Sequence, residues 1–147
     1  MNSVVNTKSN TVAKFAILAT VIALIGIVDA SYITYHHLTL VPVPCSITGG
    51  CEAVLNSDYA KIGGIPLSIF GVLAYLTAFT LAFLTALGKQ KIWTLFGLQV
   101  FVMACFSSWL VYLQFYVIKE ICQYCMLSAG ICFTLFFIFI ISSFFKK

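Results

Sequence analysis

The chain has 147 residues, 62% of them hydrophobic and 8% charged, and its mean hydropathy of +1.08 excludes a water-soluble monomer. Its net charge of +4 comes from eight lysines and no arginine, scattered rather than gathered into a stripe, which excludes a nucleic-acid partner. A membrane span takes about 20 apolar residues, and four such stretches fill the chain, so no separate soluble domain fits beside them.

Residues 1–12 are polar, and residues 13–35 form the first span, closed by His36 and His37. Lys8 and Lys14 followed by an apolar run and Val28-Asp29-Ala30 also fit a signal peptide with a small-residue cleavage site. The aromatic end of the segment favours a retained span. Residues 38–65 are the long connection, and loops of this length are mostly functional or disordered. Within it, 52–61 carries Ala53, Val54, Leu55 and Tyr59 among polar residues, the pattern of a short amphipathic helix at the membrane surface. The second span is 66–87, with Pro66 tolerated in the first turn. The third is 92–117 and the fourth 122–145.

Lys8, Lys14, Lys89, Lys91, Lys146 and Lys147 fall on one side of this path, against Lys61 and Lys119 on the other. The positive-inside rule then places both termini in the cytoplasm and the long loop in the opposite, oxidising compartment. The expected fold is an all-α integral membrane protein: residues 1–147 as a single domain, a four-transmembrane-helix bundle whose long outer loop contains a short surface helix.

Six cysteines are many for so short a chain, and four lie at the outer end. Cys122 and Cys125 form C-x-x-C where the fourth span begins. A helix start favours thiolate through its unsatisfied N–H groups and dipole, which makes such a pair redox-active. Cys45 and Cys51 bracket Ser46-Ile47-Thr48-Gly49-Gly50, short enough to close a disulfide and, through its paired glycines, mobile enough to carry Cys51 to another sulfur. Two static staples are the alternative reading, and a four-thiolate zinc site a third. Cys105 and Cys132, at membrane depth, read as small packing residues.

Asp29 is the one acidic residue inside a span, and an intramembrane carboxyl is a functional-site candidate by default. A neutral Asp29 could donate a hydrogen bond or relay a proton to a reduced acceptor; the alternative is a satisfied interhelical hydrogen bond. His36 and His37 read as interfacial loop residues, and Phe133, Phe136, Phe137 and Phe139 as lipid-facing bulk.

Taken together, several of these segments resemble the vitamin K epoxide reductase family, in particular its bacterial quinone-linked members without a fused thioredoxin domain. The resemblance covers most of the chain. It is carried by Asp29-Ala30-Ser31-Tyr32-Ile33-Thr34-Tyr35 at the end of span one, by CSITGGC, by Ser57 six residues further on, by Gly63-Gly64-Ile65-Pro66-Leu67-Ser68-Ile69-Phe70-Gly71 opening span two, and by CQYC opening span four. It implies a bundle around a quinone (ubiquinone, menaquinone, plastoquinone or phylloquinone) with the loop as its cover. Electrons would pass from a thioredoxin-fold partner to a Cys45–Cys51 disulfide, from Cys51 to Cys122, and from Cys125 to the quinone, with Ser57 as a hydrogen-bonding support and Asp29 beside the cofactor. No metal is implied. The result would be disulfide bonds made in the periplasm or lumen, at a bacterial inner membrane or a thylakoid.

Two departures bear on substrate. Leu67 and Ala129 stand where the vertebrate members carry asparagine and tyrosine, which weighs against vitamin K specificity and epoxide reduction; a vitamin K quinone/epoxide reductase proper is the alternative reading within the family. Many bacterial members also continue into a thioredoxin-like domain, whereas this sequence runs to Lys147, so a separate partner protein is expected. The unrelated disulfide bond formation protein B does similar chemistry with its C-x-x-C in the first outer segment, the reverse of the order here. A non-catalytic membrane protein with structural or metal-binding cysteines is the reading from a different class.

Overall fold

The computed structural model describes residues 2–147, with side chains from Thr7 onward; the start of the polar stretch expected over 1–12 therefore lies outside the described residues. Four helices are long and apolar enough to cross a membrane, so the chain is an integral membrane protein. They are α1 (Asn2–Thr39), α3 (Leu67–Ala86), α4 (Ile92–Tyr112) and α5 (Gln123–Lys146); the short α2 (Cys51–Leu55) sits in the long loop. The first helix runs further than the span at 13–35 in both directions. His36 and His37 thus belong to its last turn rather than to a loop, and His36 Nδ1 lies 3.2 Å from the Val41 carbonyl.

Lipid offers no hydrophobic drive for helix pairing, so close approach depends on small residues. Along α1 the buried face runs Val12, Ala16, Ala19, Ala23, Ala30 and Ile33 at helical spacing, with Gly26 in the same row. That stripe lies on α3, where Ala78 and Ala82 are fully buried, and a Cβ at Gly26 would collide with the Tyr75 ring. Between α4 and α5, Gly97 likewise has no room for a Cβ because the Phe139 ring lies on it.

Two expectations for apolar residues are corrected here. Phe136 and Phe139 pack against the core rather than facing lipid, whereas Phe137 is exposed. Cys105 points outward from α4 instead of packing inside. Hydropathy does not separate the two environments, because lipid and core are equally apolar.

The outer loop also differs from the single helix expected at 52–61. Its helix begins at Cys51 and ends at Leu55; a 3₁₀ turn follows at Asp58–Ala60, and then a two-stranded antiparallel hairpin pairs β1 (Lys61–Ile62) with β2 (Ile65–Pro66). Gly63 and Gly64 form the hairpin tip, both at positive φ (59° and 83°), the turn in which glycine is favoured because side chains strain there. The hairpin delivers the chain directly into α3.

Candidate redox site at the outer end of the bundle

Cys45 and Cys51 form a disulfide, with their Cα atoms 6.0 Å apart. Cys51 opens α2 and is fully buried, whereas Cys45 is half-exposed and its sulfur lies 3.7 Å from the Thr48 hydroxyl. Cys122 and Cys125 are both free thiols. Cys122 stands just outside the fourth span as the N-cap of α5, with extended backbone, and Cys125 follows in the first turn. Although distant in sequence, Cys51 and Cys122 share one small buried cluster with Val43 and Val54, and Cys45 and Cys125 pack at its edge. The structure therefore brings together all four outer cysteines, a disulfide against a dithiol.

The polar contacts around Cys122 account for this placement. The end of α4 widens into a π-helical turn, Leu113–Ile118, before Lys119 reverses the chain in the left-handed region (φ 56°); such turns are frequent at functional sites. The turn buries Gln114, whose Oε1 accepts the Cys122 N–H at 2.9 Å. The two residues between the cysteines hold the disulfide loop: Gln123 Oε1 accepts the Ile47 N–H at 3.1 Å, and the Tyr124 hydroxyl donates to the Pro44 carbonyl at 3.2 Å. Gly50 closes the contact from the loop side, since a Cβ there would lie 2.8 Å from the Ile121 carbonyl.

The Cys122 thiol is lowered to about 7. A hydrogen bond from the Cys125 side chain is the largest cause; burial opposes it, the Cys125 and Tyr124 backbone groups assist it, and the Asp29 charge opposes it. A thiolate is thus available at Cys122 near neutral pH, as an exchanging sulfur requires.

Beneath the loop a cavity of about 320 Å³ opens among α1, α3, α4 and α5, lined almost entirely by apolar groups. Cys125 is on its wall, and so is Ser57. The Ser57 hydroxyl donates to the Val54 carbonyl at 2.7 Å, so toward the cavity it offers lone pairs. Ser68, missed in the sequence, lines the same cavity with a buried hydroxyl that has no partner among the described residues. An apolar cavity with an unpartnered donor and a sulfur on its wall fits a quinone, a flat apolar ring with carbonyl acceptors. Leu67 and Ala129 also line it, so neither the asparagine nor the tyrosine of the vertebrate members has a counterpart there.

Two further residues bear on the site. Asp29 is not among the cavity-lining residues; it is 7% exposed, and its Oδ2 has no hydrogen-bond partner among the described residues. Cys132 is buried as expected, but it also lines the cavity and lies 3.1 Å from the Tyr75 hydroxyl, which makes further bonds to Ser128. Among the described residues, no group of three or more metal-ligating side chains converges.

Four membrane helices carry a loop disulfide packed on a C-x-x-C pair, and that arrangement is the candidate redox site. Residues 17–140 match the model of the vitamin K epoxide reductase family, and the chain belongs to that family. It is also 33% identical over 121 residues to the thiol-disulfide oxidoreductase LTO1 of Arabidopsis thaliana, an alignment that covers 75% of this chain and 32% of that protein. The chain thus spans about a third of the length of this relative.

Proposed function

We propose that the protein makes disulfide bonds for the compartment outside the membrane, passing electrons from a thioredoxin-fold dithiol protein through Cys45–Cys51 and Cys122–Cys125 to a membrane quinone. The observation that carries this reading is the shared burial of Cys51 and Cys122, which packs the disulfide loop on the C-x-x-C pair. Two static staples give no reason for the two pairs to be packed on one another.

The exposures support a division of roles. Cys45, half-exposed at the rim, is the sulfur that a partner thiolate attacks, and Cys51 leaves as thiolate. Cys51 then attacks Cys122 in an oxidised Cys122–Cys125 pair, and Cys125 leaves as thiolate at the cavity wall. Each transfer breaks one S–S bond as another forms. Gln123 and Tyr124 hold the loop in register for the second attack. When bound, a quinone supplies the two-electron acceptor, held through its carbonyl oxygens by Ser68 with Ser57 alongside. The lysine distribution supports an orientation with both termini in the cytoplasm and the cysteines in the periplasm or a thylakoid lumen.

The test is quinone reduction by the purified protein with a reduced thioredoxin-like protein as donor, with cysteine alkylation followed in the same samples. Turnover is expected to need Cys45, Cys51, Cys122 and Cys125 but neither Cys105 nor Cys132. Continued turnover by Cys125→Ser, or pairs whose redox state never changes with any donor and quinone, would overturn the proposal.

A further inference from the structure

Asp29 is a buried carboxyl to which the cavity gives no role. Its level in the bundle is bracketed by two contacts. Below it, Gly26 lies against the Tyr75 ring of α3; above it, the Tyr32 ring packs on Tyr124, between the C-x-x-C cysteines, with centroids 5.3 Å apart. Asp29 is therefore held at the head of α5, and it interacts electrostatically with Cys122, Cys125 and Tyr75. The other three acidic side chains, Glu52, Asp58 and Glu120, are exposed on loops. The titratable groups at this level are Tyr32 on its own helix, Tyr75 on α3, Cys122 at the N-cap of α5, and Tyr124 and Cys125 in its first turn. Residues 92–118, spanning α4 and its π-helical turn, contain no acid, lysine or histidine.

Oxidation of the pair sets a requirement that the sulfurs alone do not meet. Starting from a Cys122 thiolate and a Cys125 thiol, closing the S–S bond releases two electrons and one proton. The electrons leave to the quinone-class acceptor, whereas the proton is left in a buried, apolar place. Resting on the function proposed above, we propose that Asp29 is the acceptor of the Cys125 proton. Its carboxylate becomes a carboxylic acid as Cys122–S⁻ and Cys125–SH become the disulfide, so the local charge of two negatives is discharged by the two departing electrons. A carboxylate oxygen without a hydrogen-bond partner is costly to maintain in such surroundings; as a proton acceptor in this cycle, it has a use. Asp29 thus acts on the sulfurs and not on the cavity.

The test uses the full-length, quinone-free protein, reduced and then oxidised by diamide, an azo dicarboxamide that takes two electrons and two protons. The rate of Cys122–Cys125 closure is read by alkylation across pH in wild type, Asp29→Asn and Asp29→Glu. At neutral pH, Asp29→Asn is expected to close on the order of tenfold to a hundredfold more slowly, the scale of a lost general base. It should rejoin wild type at alkaline pH, where the thiol ionises unaided, and Asp29→Glu should recover most of the rate. A fixed charge with only an electrostatic or structural role predicts the opposite sign, because removing a negative charge beside a thiol eases its ionisation. The second readout needs no variant: the oxidised-minus-reduced infrared spectrum of wild type, prepared with isotope-labelled aspartate, should show a protonated-carboxyl band that shifts with the label. An Asp29→Asn protein that closes as fast as wild type at neutral pH, or a spectrum without that band, overturns this inference and leaves the proposed relay intact. A wild-type pair that never closes overturns both.

Discussion

The two ends of the bundle are built from the same helices on different rules. At the end carrying the chain termini, the apolar groups interlock: Trp93 stacks on Phe96 with centroids 4.5 Å apart, and Phe139 fills the groove at Gly97. Polar atoms there are matched, with the Trp93 indole N–H donating to Ser142 at 2.8 Å and Gln90 Nε2 donating to Ser9 at 2.9 Å. At the cysteine end the helices stand apart around a cavity, and two polar oxygens, on Asp29 and Ser68, are buried without partners among the described residues. Satisfied packing at one end sustains an unsatisfied arrangement at the other, and the unsatisfied end is where bonds are exchanged.

The largest break in this contrast is Cys125→Ala. Turnover should fall to background, and in the reduced protein the alkylation profile of Cys122 should move. Its thiol is lowered to about 7 chiefly by the Cys125 hydrogen bond, so in wild type the reactive thiolate appears as pH rises through 7. Without the donor, that rise should move upward toward the ordinary cysteine value of about 8.5.

Gly97→Val strikes the opposite end. The Phe139 ring has to yield, at a cost of about 1–3 kcal/mol for overpacking, seen as a lower Tm while the cysteines of the folded fraction still exchange. Ser142→Ala leaves the buried Trp93 N–H unpaired and should cost roughly 1–2 kcal/mol, again without changing the Cys122 alkylation profile. A change in that profile from either variant would mean that the two ends are not independent.

Gln123→Ala is the finest probe. It removes the hydrogen bond that holds Ile47 of the disulfide loop, and a net loss of about 0.5–1.5 kcal/mol corresponds to roughly a two- to tenfold fall in Cys51-to-Cys122 exchange. Stability should hardly move. An unchanged rate of mixed-disulfide formation, measured by trapping, would remove Gln123 from the positioning of the loop.

Much of the architecture is legible in the sequence, because runs of apolar residues between lysine-bearing turns admit few other arrangements. The C-x-x-C at a helix start is legible too, since helix starts carry their own electrostatics. What the sequence leaves hidden depends on which way an apolar face turns. Phe139 packs inside and Cys105 outside, yet both are apolar in surroundings that are apolar everywhere, so periodicity has little contrast to report. Gln114, Gln123 and Ser68 were hidden for another reason. Their roles depend on a π-helical turn, a loop contact and a cavity wall, each formed by residues far apart in the chain.

The alanine row of α1 has one further consequence. Folding ordinarily freezes side-chain rotamers, at up to about 2 kcal/mol for a long side chain and nothing for alanine or glycine. Ala16, Ala19, Ala23, Gly26 and Ala30 have no rotamers to lose, so this row of α1 enters its contact with α3 with almost no penalty in side-chain freedom, and the rotamer cost falls on the larger partners such as Tyr75. The seam that sets the position of Asp29 and Tyr32 beneath the cysteines is for that reason entropically cheap on one of its two sides.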